Sequence, residues 1–239
     1  MAVSHFCEKV RWTLDYKGIA FTRKTFLPGL HIKPIRKLSN SSQSSVPVLQ
    51  NGDVIIQDSR AIVHYLETQY PNPSLYPTDA SDLEQMQAWQ LLADDTVGIA
   101  VRHICYHVLL EHPKLLIPIL AQDGPWYSKP LLTVFFPKLK RLMREKMHIN
   151  QTSFDESTHI LDTVMQSLRI RLQHHQFLVG ERFSIADLTF AALLAPLARV
   201  KGYGVPWPQQ VPEALQQLDT QYKDVLDWVR DLYQYNRKP

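Results

Sequence analysis

An α/β domain followed by an all-helical domain is the architecture this sequence predicts, and three observations carry the prediction. Two short β-rich runs, "VPVL" and "VII", flank "QNGD" in the first part of the chain. Beyond residue 83 the apolar residues recur at helical spacing over long stretches. Between the two regimes lies "YPNPSLYPTDASD" at 70–82, whose prolines and small polar residues break helices and strands alike. The expected division is 1–72, a linker at 73–82, and 83–239.

The elements follow in order. Cys7, Val10 and Leu14 fall at i, i+3 and i+7, giving a first helix one apolar stripe and placing Cys7 on its inward side, and Gly18 ends it. "IAFTRKTF" at 19–26 reads as a strand, and a loop holding His31 and Lys33 leads to a hairpin over 46–56, for which Asn-Gly is the strongest short-range signal. A helix at about 59–69 puts Ile62, Tyr65 and Leu66 on one face. In the second part, Met86, Ala93, Val97, Val101, Ile104 and Val108 mark one helix over about 83–111. Leu131 to Met147 marks another, and Leu161, Val164, Leu168 and Leu172 a third over about 155–175. A fourth opens at Ser184, a cap residue with Asp187 three places on and Phe183 placed to staple against Leu188. We read this box as a helix nucleus rather than a reactive site.

Composition excludes several function classes. A chain of 239 residues, 45% hydrophobic and 21% charged, is that of a globular protein with one large core or two smaller ones. Its apolar runs are too short and interrupted to span a bilayer, and the expected location is the cytoplasm. Two cysteines, Cys7 and Cys105, are expected as reduced thiols. The net charge of +3 is small, and the one basic run, "KLKRLMREK", has no interleaved aromatics for base stacking, so no nucleic-acid partner is expected. His103 and His107 stand at i, i+4, but without a glutamate between them or a third ligand placed by spacing, no metal is expected.

Four stretches, "SHFCEKVRWTLDYKGI", "VPVL", "QDSRAIVHYLE" and "FLVGERFSIADLTFA", occur in the order of the motifs of the soluble glutathione transferases, and nearly the whole chain resembles that family. The resemblance implies a thioredoxin-like N-terminal domain, an all-helical C-terminal domain, glutathione as co-substrate without a metal, and a homodimer. It also implies conjugation of glutathione to small hydrophobic electrophiles, the chemistry of detoxification.

The chemistry is arguable residue by residue. The nucleophile is a thiolate, and a cysteine thiol has a reference pKa of about 8.5. One hydrogen bond to a charged group contributes roughly 1.5–3 kcal/mol, enough to lower that pKa by about one to two units. Ser4 stands where serine-type relatives place the activating hydroxyl, and we read it as that hydroxyl rather than as only a helix cap, although both roles draw on one oxygen. Cys7 is the rival, since "SHFC" resembles Cys-x-x-Cys with its first cysteine replaced by serine. Val46-Pro47 matches the family's cis-proline, with Val46 presenting its backbone to the cysteinyl amide of glutathione. Asp58 and Ser59 match the acidic-serine pair for the γ-glutamyl end: Ser59 and the free N–H groups of its helix suit a carboxylate, and Asp58 suits the ammonium. Gln57 assists, His31 and Lys33 are candidates for the glycine carboxylate, and Tyr106, His103, His107 and Trp126 for the electrophile site.

One departure stands out. Relatives begin with a strand interior to a four-stranded sheet, and three residues before Ser4 are too few to form it. A truncated first strand is therefore expected, leaving neighbouring strands with unpaired groups at roughly 1–3 kcal/mol each and Ser4 without its anchor. Two other functions stay open: a non-catalytic glutathione-binding or protein-interaction module, and a glutathione-dependent thiol–disulfide enzyme using Cys7.

Overall fold

The computed structural model describes residues 1–237. The first part runs α1 (His5–Tyr16), α2 (Ile32–Ser39), β1 (Val48–Asn51), β2 (Val54–Gln57) and α3 (Ser59–Gln69). β1 and β2 pair antiparallel from Val48 opposite Gln57 to Asn51 opposite Val54. The turn between them needs the positive φ of Gly52 at 59°, which a residue with a Cβ adopts reluctantly. The helix at 5–16 ends at Lys17, and Gly18 follows with φ of 66°.

Two expectations for this region are corrected. The run at 19–26 is not a strand: a β-rich segment becomes one only beside a partner, and among the described residues the sheet holds β1 and β2 alone. The loop expected around His31 and Lys33 instead forms α2, which His31 precedes and which buries Ile35. That single apolar anchor is too little for a periodic signal.

The second part runs α4 (Ala80–Leu92), α5 (Gly98–Leu109), α6 (Pro113–Ala121), α7 (Ser128–Lys146), α8 (Gln151–Leu172), α9 (Ile185–Ala198), α10 (Glu213–Gln221) and α11 (Lys223–Asn236). The single helix expected at 83–111 is broken by a π turn at Ala93–Val97. That widened turn presents Asp94 and Asp95 to the first part of the chain, a common use of π geometry. α9 is buried on nearly every side, as befits a helix at the centre of a bundle. Asp187 accepts the backbone N–H and hydroxyl of Ser184 and the N–H of Leu178, so the expected capping box is present.

α1 rests on both parts of the chain. Val10 and Leu14 pack with Ile62 and Leu66 of α3, while Trp12 enters the main core with α9 and α11. The polar side of α1 is also buried. Glu8, fully buried, meets Arg11, Tyr233 and Arg237. Lys17 reaches Glu67 and the carbonyls of Tyr70 and Pro73. No described helix is long and apolar enough to cross a membrane.

Candidate functional site

Ser4 caps α1, its Oγ accepting the N–H of Cys7 at 3.4 Å. The bond is long, and it uses the oxygen as acceptor. A hydroxyl carries one hydrogen to donate as well, so capping and donation to a ligand sulfur are compatible at the same atom. The residues around Ser4 are held by side chains rather than by a ladder. Arg11 donates to the carbonyl of Ala2, Tyr203 to that of Val3, and His5 Nε2 lies 3.0 Å from the carbonyl of Gly98. Cys7, expected to be buried, is half-buried, because the inward stripe begins one turn later at Val10. Cys105 is the buried thiol, and burial pushes it up to about 12.

The second cluster gathers where β2 runs into α3. Val46–Pro47 is cis, and the N–H of Asp58 donates to the carbonyl of Pro47 at 3.4 Å, which brings the two motifs into contact. Among the described residues, the backbone of Val46 has no backbone partner. Gln57 is tied to Ser45 through its side-chain amide, 2.8 Å from the carbonyl. Asp58, not Ser59, caps α3: its Oδ1 accepts from the N–H groups of Arg60 and Ala61 at 2.8 and 3.1 Å. Those are helix N–H groups the sequence reading left for the ligand, so the expectation of a free helix N-terminus is corrected. Asp58 can do this because it is the last non-helical residue, with φ of 92° and ψ of 130°, directly before the helix start. Ser59 is buried as the first helical residue, and among the described residues Oδ2 of Asp58 accepts nothing.

A charge cluster fastens this second site to α1 and the π turn. Lys9, fully buried, donates to both oxygens of Asp94 at 2.9 and 2.7 Å, and Arg60 reaches Asp94 at 3.2 Å and also Asp95. Burial pulls the Lys9 ammonium downward, and the close charge and hydrogen bonds of Asp94 oppose it. The sequence reading missed Lys9, Asp94 and Arg60. The one available signal was two adjacent acids, Asp94 and Asp95, interrupting an apolar helical pattern.

The remaining candidates scatter. His31 accepts the N–H of Gly29 within its own turn, and Lys33 is exposed on α2. His103 lies 3.2 Å from Ser157 of α8, and His107 packs on Phe154 of the same helix, so both are engaged with α8. Trp126 is 89% exposed. Tyr106 alone of the four approaches the chain start, packing with Val3 on one apolar cluster, and burial pushes its phenol up to about 12. A polar cleft of about 330 Å³ is lined by Arg11, Arg23, Asp123, Tyr203 and Arg237 among others, and none of the sequence-predicted residues borders it. Among the described residues, no group of three or more His, Cys, Asp and Glu side chains is arranged to hold a metal.

The chain matches the family described as glutathione S-transferase, N-terminal domain, over residues 1–74 and glutathione S-transferase, C-terminal domain, over 127–210. It is 34% identical over 127 residues to a maleylpyruvate isomerase of Ralstonia sp., covering 50% of this chain and 58% of that one. It is 40% identical over 73 residues to glutathione S-transferase 1 of Dianthus caryophyllus, covering 30% of this chain and 33% of that one. The chain thus spans between a third and three-fifths of these relatives. Among solved structures, glutathione transferase F7 from Populus trichocarpa superposes with a TM-score of 0.66 at 16% identity, covering 97% of this chain and 90% of that one, a likeness of fold.

Proposed function

Because the chain belongs to the glutathione transferase family, with its thioredoxin-like and all-helical domains, we propose that it is an enzyme joining the sulfur of glutathione to small hydrophobic electrophiles. The observation that carries the reading is the junction of Pro47 and Asp58, which sets two binding motifs side by side at the start of α3. In this reading the γ-glutamyl carboxylate lies on the N–H and hydroxyl of Ser59, and its ammonium meets Oδ2 of Asp58. The cysteinyl amide pairs with the backbone of Val46, and Gln57 holds the strand carrying it through Ser45.

Ser4 then donates its hydroxyl hydrogen to the thiolate while still accepting from Cys7. The thiol loses its proton to solvent, the thiolate attacks the electrophilic carbon, and the leaving group departs as the C–S bond forms. Cys7 is a neighbour of the reaction in this scheme, not its nucleophile. Tyr106 borders the electrophile. The same reading carries a cytoplasmic homodimer, which sedimentation of the purified protein and fractionation of expressing cells would check.

The test is retention on immobilised glutathione. Wild type is retained and Ser59→Ala elutes early; equal retention of the two would remove this site assignment. A protein retained normally yet inert toward a panel of electrophiles would instead be the non-catalytic binding module.

A further inference from the structure

The first turn of α1 faces α5 along a stripe of residues four apart: Gly98, Arg102 and Tyr106. His5 bonds at the Gly98 carbonyl, and the Phe6 ring occupies the space a side chain at Gly98 would need, with a Cβ there falling 2.5 Å from the ring. Arg102 is next along the stripe, close enough to His5 for its charge to act on that ring.

Arg102 is half-buried, its Nε is sealed from solvent without an acceptor, and among the described residues no carboxylate pairs with its guanidinium. The acids about two turns earlier are committed elsewhere, Asp94 to Lys9 and Arg60, and Asp95 to Arg60. Its other titratable neighbours carry no charge at neutral pH: burial holds His5 down to about 3, and the Tyr106 phenol is pushed up to about 12. His103, on the next residue, is lowered as well, by burial and by Arg102 itself. A partly buried guanidinium with a planar fork of donors, one of them sealed without an acceptor, and no counter-ion is the chemistry that takes a carboxylate in bidentate fashion.

We propose that Arg102 determines specificity at the electrophile site, taking the carboxylate of an anionic second substrate beside the first turn of α1. The proposal rests on the glutathione-transfer reading for the word substrate, but the anion site itself does not. Small hydrophobic electrophiles bearing a carboxylate are then preferred over their neutral analogues.

The experiment compares two probes that differ only in charge, 4-chloro-3-nitrobenzoate and 4-chloro-3-nitrobenzamide, by calorimetric titration of the full chain without glutathione. Wild type is expected to bind the benzoate about tenfold or more tightly than the benzamide. Arg102→Met should bring the ratio to about one, and Arg102→Lys, which keeps the charge but loses the fork, should lie between. Removing an unpaired, half-buried charge should leave the melting temperature of Arg102→Met about equal to that of wild type, and circular dichroism checks that it is folded. No preference in wild type overturns the proposal, as does a preference kept in Arg102→Met. So does an Arg102→Met protein that loses glutathione affinity instead, which would assign Arg102 to glutathione. A wild type that prefers the benzoate but is not retained on immobilised glutathione keeps the anion site and removes the transferase reading.

Discussion

His5 Nε2 lies 3.0 Å from the carbonyl oxygen of Gly98, which ties the residue after Ser4 to the first turn of α5. The ring is buried, and burial followed by the charge of Arg102 lowers its pKa to about 3, against a weaker pull from the Gly98 bond. The position of Ser4 therefore depends on a neutral imidazole.

That dependence predicts a pH effect. In the unfolded chain His5 takes up a proton near pH 6.5, while the folded chain refuses it until about pH 3. Its contribution is complete above pH 6.5 and declines as the pH falls toward 3. At pH 5 wild type should have lost about 2 kcal/mol relative to His5→Gln, which keeps an N–H for Gly98 but does not titrate. Urea unfolding of both proteins at pH 7 and pH 5 checks this; a difference that stays constant would show that His5 is free to charge.

The ion pair of Lys9 and Asp94 predicts an asymmetry. Lys9 has Asp94 as its described carboxylate partner, whereas Asp94 is shared with Arg60. Asp94→Asn strands a buried ammonium and should cost about 3–5 kcal/mol. Lys9→Met leaves Asp94 with Arg60 and should cost markedly less. Equal losses in thermal or urea melts would mean that Arg60, with 39% of its side chain exposed, contributes little at Asp94.

How far the sequence foretold this arrangement follows the range of the interactions. The hairpin and the Ser184–Asp187 box were readable because each is settled within a few neighbouring residues. Lys9 and Asp94 were not, since they meet across 85 residues and nothing local marks either as a partner. At the start of α3, Asp58 and Ser59 are both good caps, and only the backbone turn at Asp58 decides between them. The run at 19–26 has strand composition, but pairing is a property of neighbours and not of a segment. Arg102 carries no sequence signal at all until α5 is laid against His5.

Ser4→Ala separates hydroxyl from thiol chemistry. Losing the donor should raise the apparent pKa of bound glutathione by about one to two units, read from the pH dependence of conjugation or thiolate absorbance. Stability should fall only by about 0.5 kcal/mol, the low end for a cap, because the bond to Cys7 is long at 3.4 Å. Cys7→Ser should conjugate at nearly the wild-type rate. A folded Cys7→Ser protein without activity would hand the reaction to the thiol.

Asp187 predicts a second pH effect, opposite in sign to that of His5. Its carboxylate is fully buried at the head of α9, where it accepts from Leu178 at 2.7 Å and from Ser184 at 2.8 and 2.9 Å. Burial raises its pKa to about 6, outweighing the downward pull of those bonds. The unfolded chain releases this proton near pH 3.8 and the folded chain only near 6, so between the two the folded state binds more protons. The resulting stabilisation is complete below pH 3.8 and is lost as the pH rises through 6, by about 3 kcal/mol in all. Asp187→Asn cannot ionise, and with one acceptor oxygen in place of two it leaves a donor unsatisfied, at about 1–3 kcal/mol at every pH. The advantage of wild type over Asp187→Asn should therefore be largest near pH 4 and shrink steadily to pH 7. Comparing the two proteins at each pH cancels the contribution of His5, which is common to both. Urea midpoints across pH 4–7 that keep a fixed separation would mean that Asp187 is already ionised in the folded protein at pH 4, its three donors having overcome burial.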